Sequence, residues 1–259
     1  MATSKVVRTW ASPYLYKTVV LPTSKHLRCF AALMRSSSTA VSPTVRHLWV
    51  GNPDLSYSGF FLPEKQTLLG RHRRLLRGKP KSDEEHACYK ALFDITFILY
   101  HVPNLCSLAL PEFMMLHVMG FSSFPFSLTE VVTSGEHMKE GIRISDEPCA
   151  RNVRRLVFVA NGTIHRALQT GIFWMPKAID ELELCWTSGQ SNVQEMQEFL
   201  EWVLESRRVR CITLVADKAL IDHRIRSLVQ WNGRLVLKVR TESPMDRWEA
   251  RTQAQGFWA

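Results

Sequence analysis

The sequence predicts an α/β solenoid with parallel strands on one face and helices on the other. Three observations carry this prediction. The stretch Val153-Arg154-Arg155-Leu156-Val157-Phe158-Val159-Ala160-Asn161 places apolar residues first, fourth and sixth and an Asn ninth. That is the spacing of a leucine-rich repeat, in which a short strand turns its apolar residues inward and the Asn ties down the next turn. Weaker versions of the triplet recur before and after it. Successive strands also begin roughly 22–30 residues apart, except across one interruption, which is the period of strand-plus-helix repeats. Such a unit cannot bury its own apolar face, so stability comes from stacking neighbours.

In order, residues 4–12 read as a short helix that stops before Pro13. Tyr14 to Leu21 is aromatic and β-branched and ends at Pro22, the mark of a strand, predicted over residues 16–21. Thr23 or Ser24 then caps a helix with Leu27, Phe30, Ala31 and Met34 on one stripe. A strand at 45–50 repeats the triplet as Val45, Leu48 and Val50 and ends at Gly51-Asn52-Pro53. Residues 53–83 break the rhythm with Pro, Gly and the basic run Arg71 to Lys81, and read as an exposed insertion, dispensable for folding. Glu84 to Tyr100 is a helix with Cys88, Leu92, Ile95 and Leu99 on one face. A strand at 106–110 follows the triplet Leu105, Leu108 and Leu110, whereas 111–127 is apolar and aromatic but irregular and carries no assignment. Further strands follow at 128–133 (a poor match), 154–160, 181–186, 210–216 and 234–239. Helices are expected at 192–206 and after Asp217, and a closing helix starts at Ser243-Pro244 and runs through Trp248, with Phe257 and Trp258 folding back over the end. The rival is an open doubly wound α/β sheet, whose strands are covered on both faces and read as continuous apolar runs. Leu156 to Ala160 reads that way, but the strands at 45, 179 and 234 alternate.

Composition bounds the rest. The 259 residues, 46% hydrophobic and 22% charged, suit a globular chain with a substantial core. No apolar run approaches the ~20 residues of a membrane-spanning helix. A formal net charge of +9 permits attraction to acidic partners without demonstrating it. Six cysteines stand singly, with no Cys-x-x-Cys pair, and read as packed thiols in a reducing compartment, cytoplasmic or nuclear. The first 53 residues lack Asp and Glu, which also suits a mitochondrial transit peptide.

The segment VVRTWASPYLYKTVVL resembles the end of an F-box and the first repeat of fungal F-box proteins with degenerate leucine-rich repeats. The matching positions are Trp10, Pro13, Leu15, Tyr16, Lys17, Val19 and Leu21, and Val45 to Asn52 is similar to that family's second strand. The resemblance is moderately specific over residues 5–52 and becomes one of rhythm afterwards. It implies a remnant F-box-like helix at 1–13 and a repeat domain at 14–259. It also implies a non-enzymatic protein-interaction module, like the substrate-recognition region of a ubiquitin-ligase adaptor. The helices that dock the Skp adaptor and its cullin would lie upstream of Met1, which puts those partners in question.

No glycine-rich dinucleotide or phosphate loop, nucleophile elbow or His-Glu-x-x-His motif is present, so no catalytic residue, cofactor or metal is predicted. His137 and His165 read as packed or solvated side chains. The basic run at 71–81 lacks the stacking aromatics of a nucleic-acid site. A small α/β enzyme and a basic nucleic-acid binder remain the alternatives. If the triplet points inward, the intervening strand residues point outward. The expected partner-binding residues are therefore His47, Trp49, Arg155, Glu181, Glu183, Arg234 and Lys238. Packing of Trp49 under the 53–83 insertion is the competing reading.

Overall fold

Among the described residues, eight strands join a single parallel sheet in which spatial order equals sequence order. They are β1 (Thr18–Leu21), β2 (His47–Val50), β3 (Ser107–Leu110), β4 (Glu130–Ser134), β5 (Arg155–Ala160), β6 (Glu181–Trp186), β7 (Cys211–Ala216) and β8 (Leu235–Val239). The computed structural model describes residues 16–55, 60–61, 83–121, 124–134, 151–160, 178–186, 193–205 and 209–254. The expected helix at 4–12, the F-box-like remnant, the basic run Arg71 to Lys81, His137, His165 and the pair Phe257 and Trp258 lie outside these. β5 pairs only with β4 and β6, as the repeat spacing requires. The fold is thus α/β with one parallel sheet.

The register runs straight across the sheet. Leu48, Leu108, Val131, Leu156, Leu182 and Ile212 form one row, each hydrogen-bonded ladder carrying it to the next strand. These side chains share one face because strand residues alternate sides. On that face lie the helices α1 (Ser24–Val41), α2 (Asp83–His101), α3 (Glu112–Phe121), α4 (Val193–Glu205) and α5 (His223–Trp231), all contributing to one buried cluster with the row.

Local sequence explains these helices. Thr23 Oγ1 accepts from His26 N at 3.5 Å, and Leu27, Phe30, Ala31 and Met34 are buried, as the stripe predicts. In α2 the buried stripe is Ala91, Ile95, Ile98 and Leu99, so Cys88 and Leu92 sit only half-buried at its margin. Arg35 of α1 bonds Asp94 of α2 at 2.7 Å. α3 fills the stretch without a period: it follows Pro111, and Met114, Met115 and Val118 are buried in it. Asp222 caps α5 by accepting from Ile225 N at 3.0 Å.

The 53–83 insertion is not uniformly exposed, contrary to its composition. Leu55 and Phe60 are fully buried. Phe60 stands edge-on to Phe113 at 6.3 Å, and its carbonyl accepts from Ser24 N at 3.0 Å. The turn into the insertion needs Gly51 at φ 120, because a Cβ there would lie 3.1 Å from the Pro111 ring.

Among the described residues, one helix lies on the opposite face. α6 (Pro244–Ala254) follows β8 and starts with a capping box: Ser243 Oγ accepts from Asp246 N at 3.1 Å, and Asp246 accepts from Ser243 N at 3.2 Å. Pro244 occupies the first helical position, where its missing N–H costs nothing. The helix runs antiparallel to the strands. Met245 N bonds Pro53 O beyond the end of β2, while Arg251 reaches Glu130 at the start of β4.

Candidate functional site

The strand face is the candidate site, and α6 covers much of it. Trp49, Ala109, Val132, Val157, Val159, Cys185 and Val215 form an apolar floor, joined by Leu55 from the insertion and by Trp248 from α6. Trp248 packs on Trp49 with ring centroids 5.3 Å apart and stands edge-on to His47 at 6.4 Å. All three side chains are buried. Buried indole needs a partner for its N–H, and Trp248 Nε1 donates to Ser107 Oγ at 2.6 Å. Ser107 in turn donates to Glu130 Oε1 at 2.9 Å. Trp49 Nε1 donates to Asn52 O at 3.1 Å.

Around this floor runs an ionic network drawn from three strands and α6. Arg155 of β5 bonds Glu183 of β6 at 2.7 Å and also bonds Glu181. Its Nε faces Glu130 of β4 at 3.5 Å. Arg247 grips Glu183 Oε1 through Nη2 at 2.8 Å and Nε at 3.1 Å. Arg251 approaches Glu130 at 3.4 Å and Glu183 at 3.7 Å. The register places Glu130, Arg155 and Glu181 side by side on adjacent strands, so opposite charges meet across the ladder.

Burial sets the protonation states. Burial alone would raise the Glu183 carboxyl, but Arg251, Arg247 and Arg155 more than reverse this and hold it below the usual carboxylate range. Burial would lower the Arg155 guanidinium, but Glu183, Glu130 and Glu181 raise it. His47 is pushed down to about 4 by burial and then by Lys17 and Arg46, so it is neutral at pH 7. The buried Cys185 thiol is pushed up to about 12 by burial and by Glu183, so it is not a nucleophilic thiolate. Arg155, Arg247 and Arg251 balance Glu130, Glu181 and Glu183. The arrangement is a neutralised clamp that fixes α6 to the sheet.

The expected partner-binding residues therefore divide. His47, Trp49 and Glu183 are buried beneath α6 and are not on an open surface. For Trp49 the competing reading holds in part, because Leu55 of the insertion shares its burial with Trp248 of α6. Arg155 is half-buried within the network. Arg234 turns back into the fold, donating to Val209 O at 3.2 Å and Leu204 O at 2.6 Å. Glu181 and Lys238 remain exposed. Of the residues that complete the site, Ser107 and Glu130 are among the outward strand positions expected on this face, whereas Arg247, Trp248 and Arg251 were outside the expected set. The pattern Arg247-Trp248-x-x-Arg251 was the available signal, since its spacing puts both guanidiniums on one helix face beside the indole.

Among the described residues no cluster of His, Cys, Asp and Glu is suited to a metal ion, and no helix is long and apolar enough to cross a membrane. Compared with known proteins, the chain matches no family model, no curated protein and no solved structure.

Proposed function

We propose that the chain is a non-enzymatic protein-interaction module. On this reading it is a degenerate leucine-rich-repeat-like solenoid, similar to the substrate-recognition region of an F-box ubiquitin-ligase adaptor. The observation that supports the reading is the sheet: eight parallel strands in sequence order and straight register, as a strand-plus-helix repeat would give. α6 closes the part of the strand face over β2 to β6. The part left open lies at β6 to β8, where Glu181, Val236 and Lys238 are exposed and Cys211 and Thr213 are half-exposed. The partner surface is assigned to this open end, an apolar and mixed-charge patch suited to a protein ligand.

The test is affinity purification of the full chain from its own cells, read by mass spectrometry. A protein partner lost with charge reversal of Glu181 and Lys238 supports the open end as the site. Recovery of Skp and cullin with it supports the adaptor role in a cytoplasmic or nuclear setting. Recovery of nucleic acid alone, or a partner indifferent to both reversals, overturns the assignment. Trp49→Ala tests folding rather than binding.

A further inference from the structure

We propose that the outer edge of β8 takes an extended acidic peptide of a partner protein as one further strand. The proposal rests on the reading of the open end as the partner surface, and it names the chemistry of what binds there. Backbone direction comes first. Arg234 O accepts from Ile212 N at 2.8 Å, and Arg240 N donates to Ala216 O at 2.9 Å. Backbone groups of successive strand residues alternate between the two edges. Residues 234, 236, 238 and 240 therefore face β7, and Leu235, Leu237 and Val239 turn their N–H and C=O to the outer edge. Among the described residues no strand lies beyond it. Leu235 N is satisfied locally by Asn232 O at 2.9 Å. The open row comprises Leu235 O and the N–H and C=O of Leu237 and Val239. An extended peptide laid along such a row completes it with main-chain hydrogen bonds, and its alternate side chains give specificity.

Charge selects the occupant. From His223 to Thr241 the chain carries Arg224, Arg226, Arg234, Lys238 and Arg240 and no Asp or Glu. Two of these cations are engaged within the fold. Arg240 pairs with Asp217 at 2.7 Å, and Arg234 donates to Val209 O and Leu204 O. Arg224, Arg226 and Lys238 are exposed, and among the described residues no carboxylate pairs with them. Asp222, just before them, is occupied as the cap of α5. The edge is thus bordered by three cations left to the solvent. A Lys on an edge strand bars unwanted pairing, and here it also discriminates. A second copy of the chain, with its net charge of +9, is repelled, whereas an acidic strand is attracted.

The two sides of the edge call for different residues in the ligand. The register sets Leu235, Leu237 and Val239 level with Ile212, Leu214 and Ala216, on the helix side. Val236 and Lys238 fall on the strand face, because side chains alternate. On the helix side Val239 is 50% exposed, and Trp231, at the end of α5 just before β8, is 89% exposed. A strand lying ~4.8 Å from β8 meets this apolar margin with one set of alternate side chains and Lys238 with the other. The fitting ligand is an extended segment that alternates apolar and acidic residues, the apolar ones on the side of Val239 and Trp231. A nucleic acid fits the charge but not the edge. Its phosphates only accept hydrogen bonds, which leaves Leu235 O, Leu237 O and Val239 O without donors.

Fluorescence anisotropy of a labelled short peptide of alternating valine and glutamate, titrated with the full chain, decides the matter. The expected result is a Kd on the order of 100 µM at low salt, weakened roughly tenfold or more by ~0.5 M salt. Lys238→Glu and Trp231→Ala, both at exposed positions, each weaken binding by roughly fivefold or more and leave the melting temperature unchanged. Val239→Pro removes an outward N–H from an edge strand, where proline is tolerated, and weakens binding as well. No binding below about 1 mM, or affinity indifferent to Lys238→Glu and Trp231→Ala, overturns the proposal. So does equal affinity for a glutamate-only peptide or a single-stranded oligonucleotide, since charge alone then explains the binding. A protein partner released from the full chain by charge reversal of Glu181 and Lys238, found together with no peptide binding, keeps the open end as the partner surface and overturns the acidic strand alone.

Discussion

Removing the indole of Trp248 tests whether α6 is part of the folded core. The side chain is fully buried against Trp49 and His47, and its N–H reaches Ser107 at 2.6 Å. Returning ~150–250 Å² of buried aromatic surface to water costs about 4–6 kcal/mol at ~25 cal/mol per Å². Because α6 lies at the surface, it can settle into part of the gap, so Trp248→Ala should lose about 4 kcal/mol, within the usual span for large aromatic truncations. Trp248→Phe keeps most of the contact but leaves the buried Ser107 oxygen without the N–H it accepts from, and should lose about 1–2 kcal/mol. Urea unfolding followed by intrinsic fluorescence measures both, and exposure of Trp49 in the alanine variant should shift native emission to the red. With total stability of about 5–15 kcal/mol, the alanine variant should show a much lower midpoint. A loss below about 1 kcal/mol for alanine, or equal losses for alanine and phenylalanine, would refute the docking described.

Other perturbations probe separate contacts. Gly51→Ala places a Cβ 3.1 Å from Pro111 at φ 120, and should lower stability by more than ~1 kcal/mol in thermal melts. Phe60→Ala should cost about 3–5 kcal/mol, and deletion of 56–82 should collapse the melting transition rather than cost a loop-closure term alone. Buried His47 titrates at about 4 instead of its ordinary 6.5, so the unfolded chain binds this proton first. Stability should fall as pH drops from about 6.5 towards about 4, and His47→Gln should flatten that limb of the acid-unfolding curve. Glu183 is depressed instead, so its contribution is full above the ordinary carboxylate value and is lost as pH falls through its lower folded value. Glu183→Gln should remove that later loss and lower stability at pH 7.

The strand order and most helices were legible because Pro, Gly and capping residues punctuate a repeating apolar triplet. Leu48, Leu156 and Ile212 occupy the inward row that their spacing predicts. Ser243 and Pro244 marked the start of α6 for the same local reason, and Asp246 completes its cap in the structure. Its resting place was not local. Docking depends on Trp248 and two arginines meeting residues from 64 to 141 positions earlier, Glu183 for Arg247, Glu130 for Arg251 and Ser107 for Trp248, and no periodicity records that. A trace was nevertheless present. The continuous apolar run Leu156 to Ala160 meant strands covered on both faces, which we associated with the doubly wound alternative. Here the second cover is α6, because Val157 and Val159 belong to its floor. α3 was illegible for the opposite reason: Glu112–Phe121 is apolar almost all round and offers no stripe to read.

The reach of α6 across the sheet changes how the chain must fold. A sheet whose strands meet only sequence neighbours can grow from any point and fray from either end, each unit leaning on the next. Trp248 adds a contact with Trp49 and Ser107 that closes a long stretch of chain on itself, a connection whose entropy must be met before it returns any stability. During synthesis the strands it covers, β2 to β6, emerge well before α6. Until it arrives, Glu130 and Glu183 face solvent with Arg155 alone to balance them, and the apolar floor beside them stands open. α6 therefore acts as a latch, joining units that each lean on a neighbour into one that opens or closes as a whole.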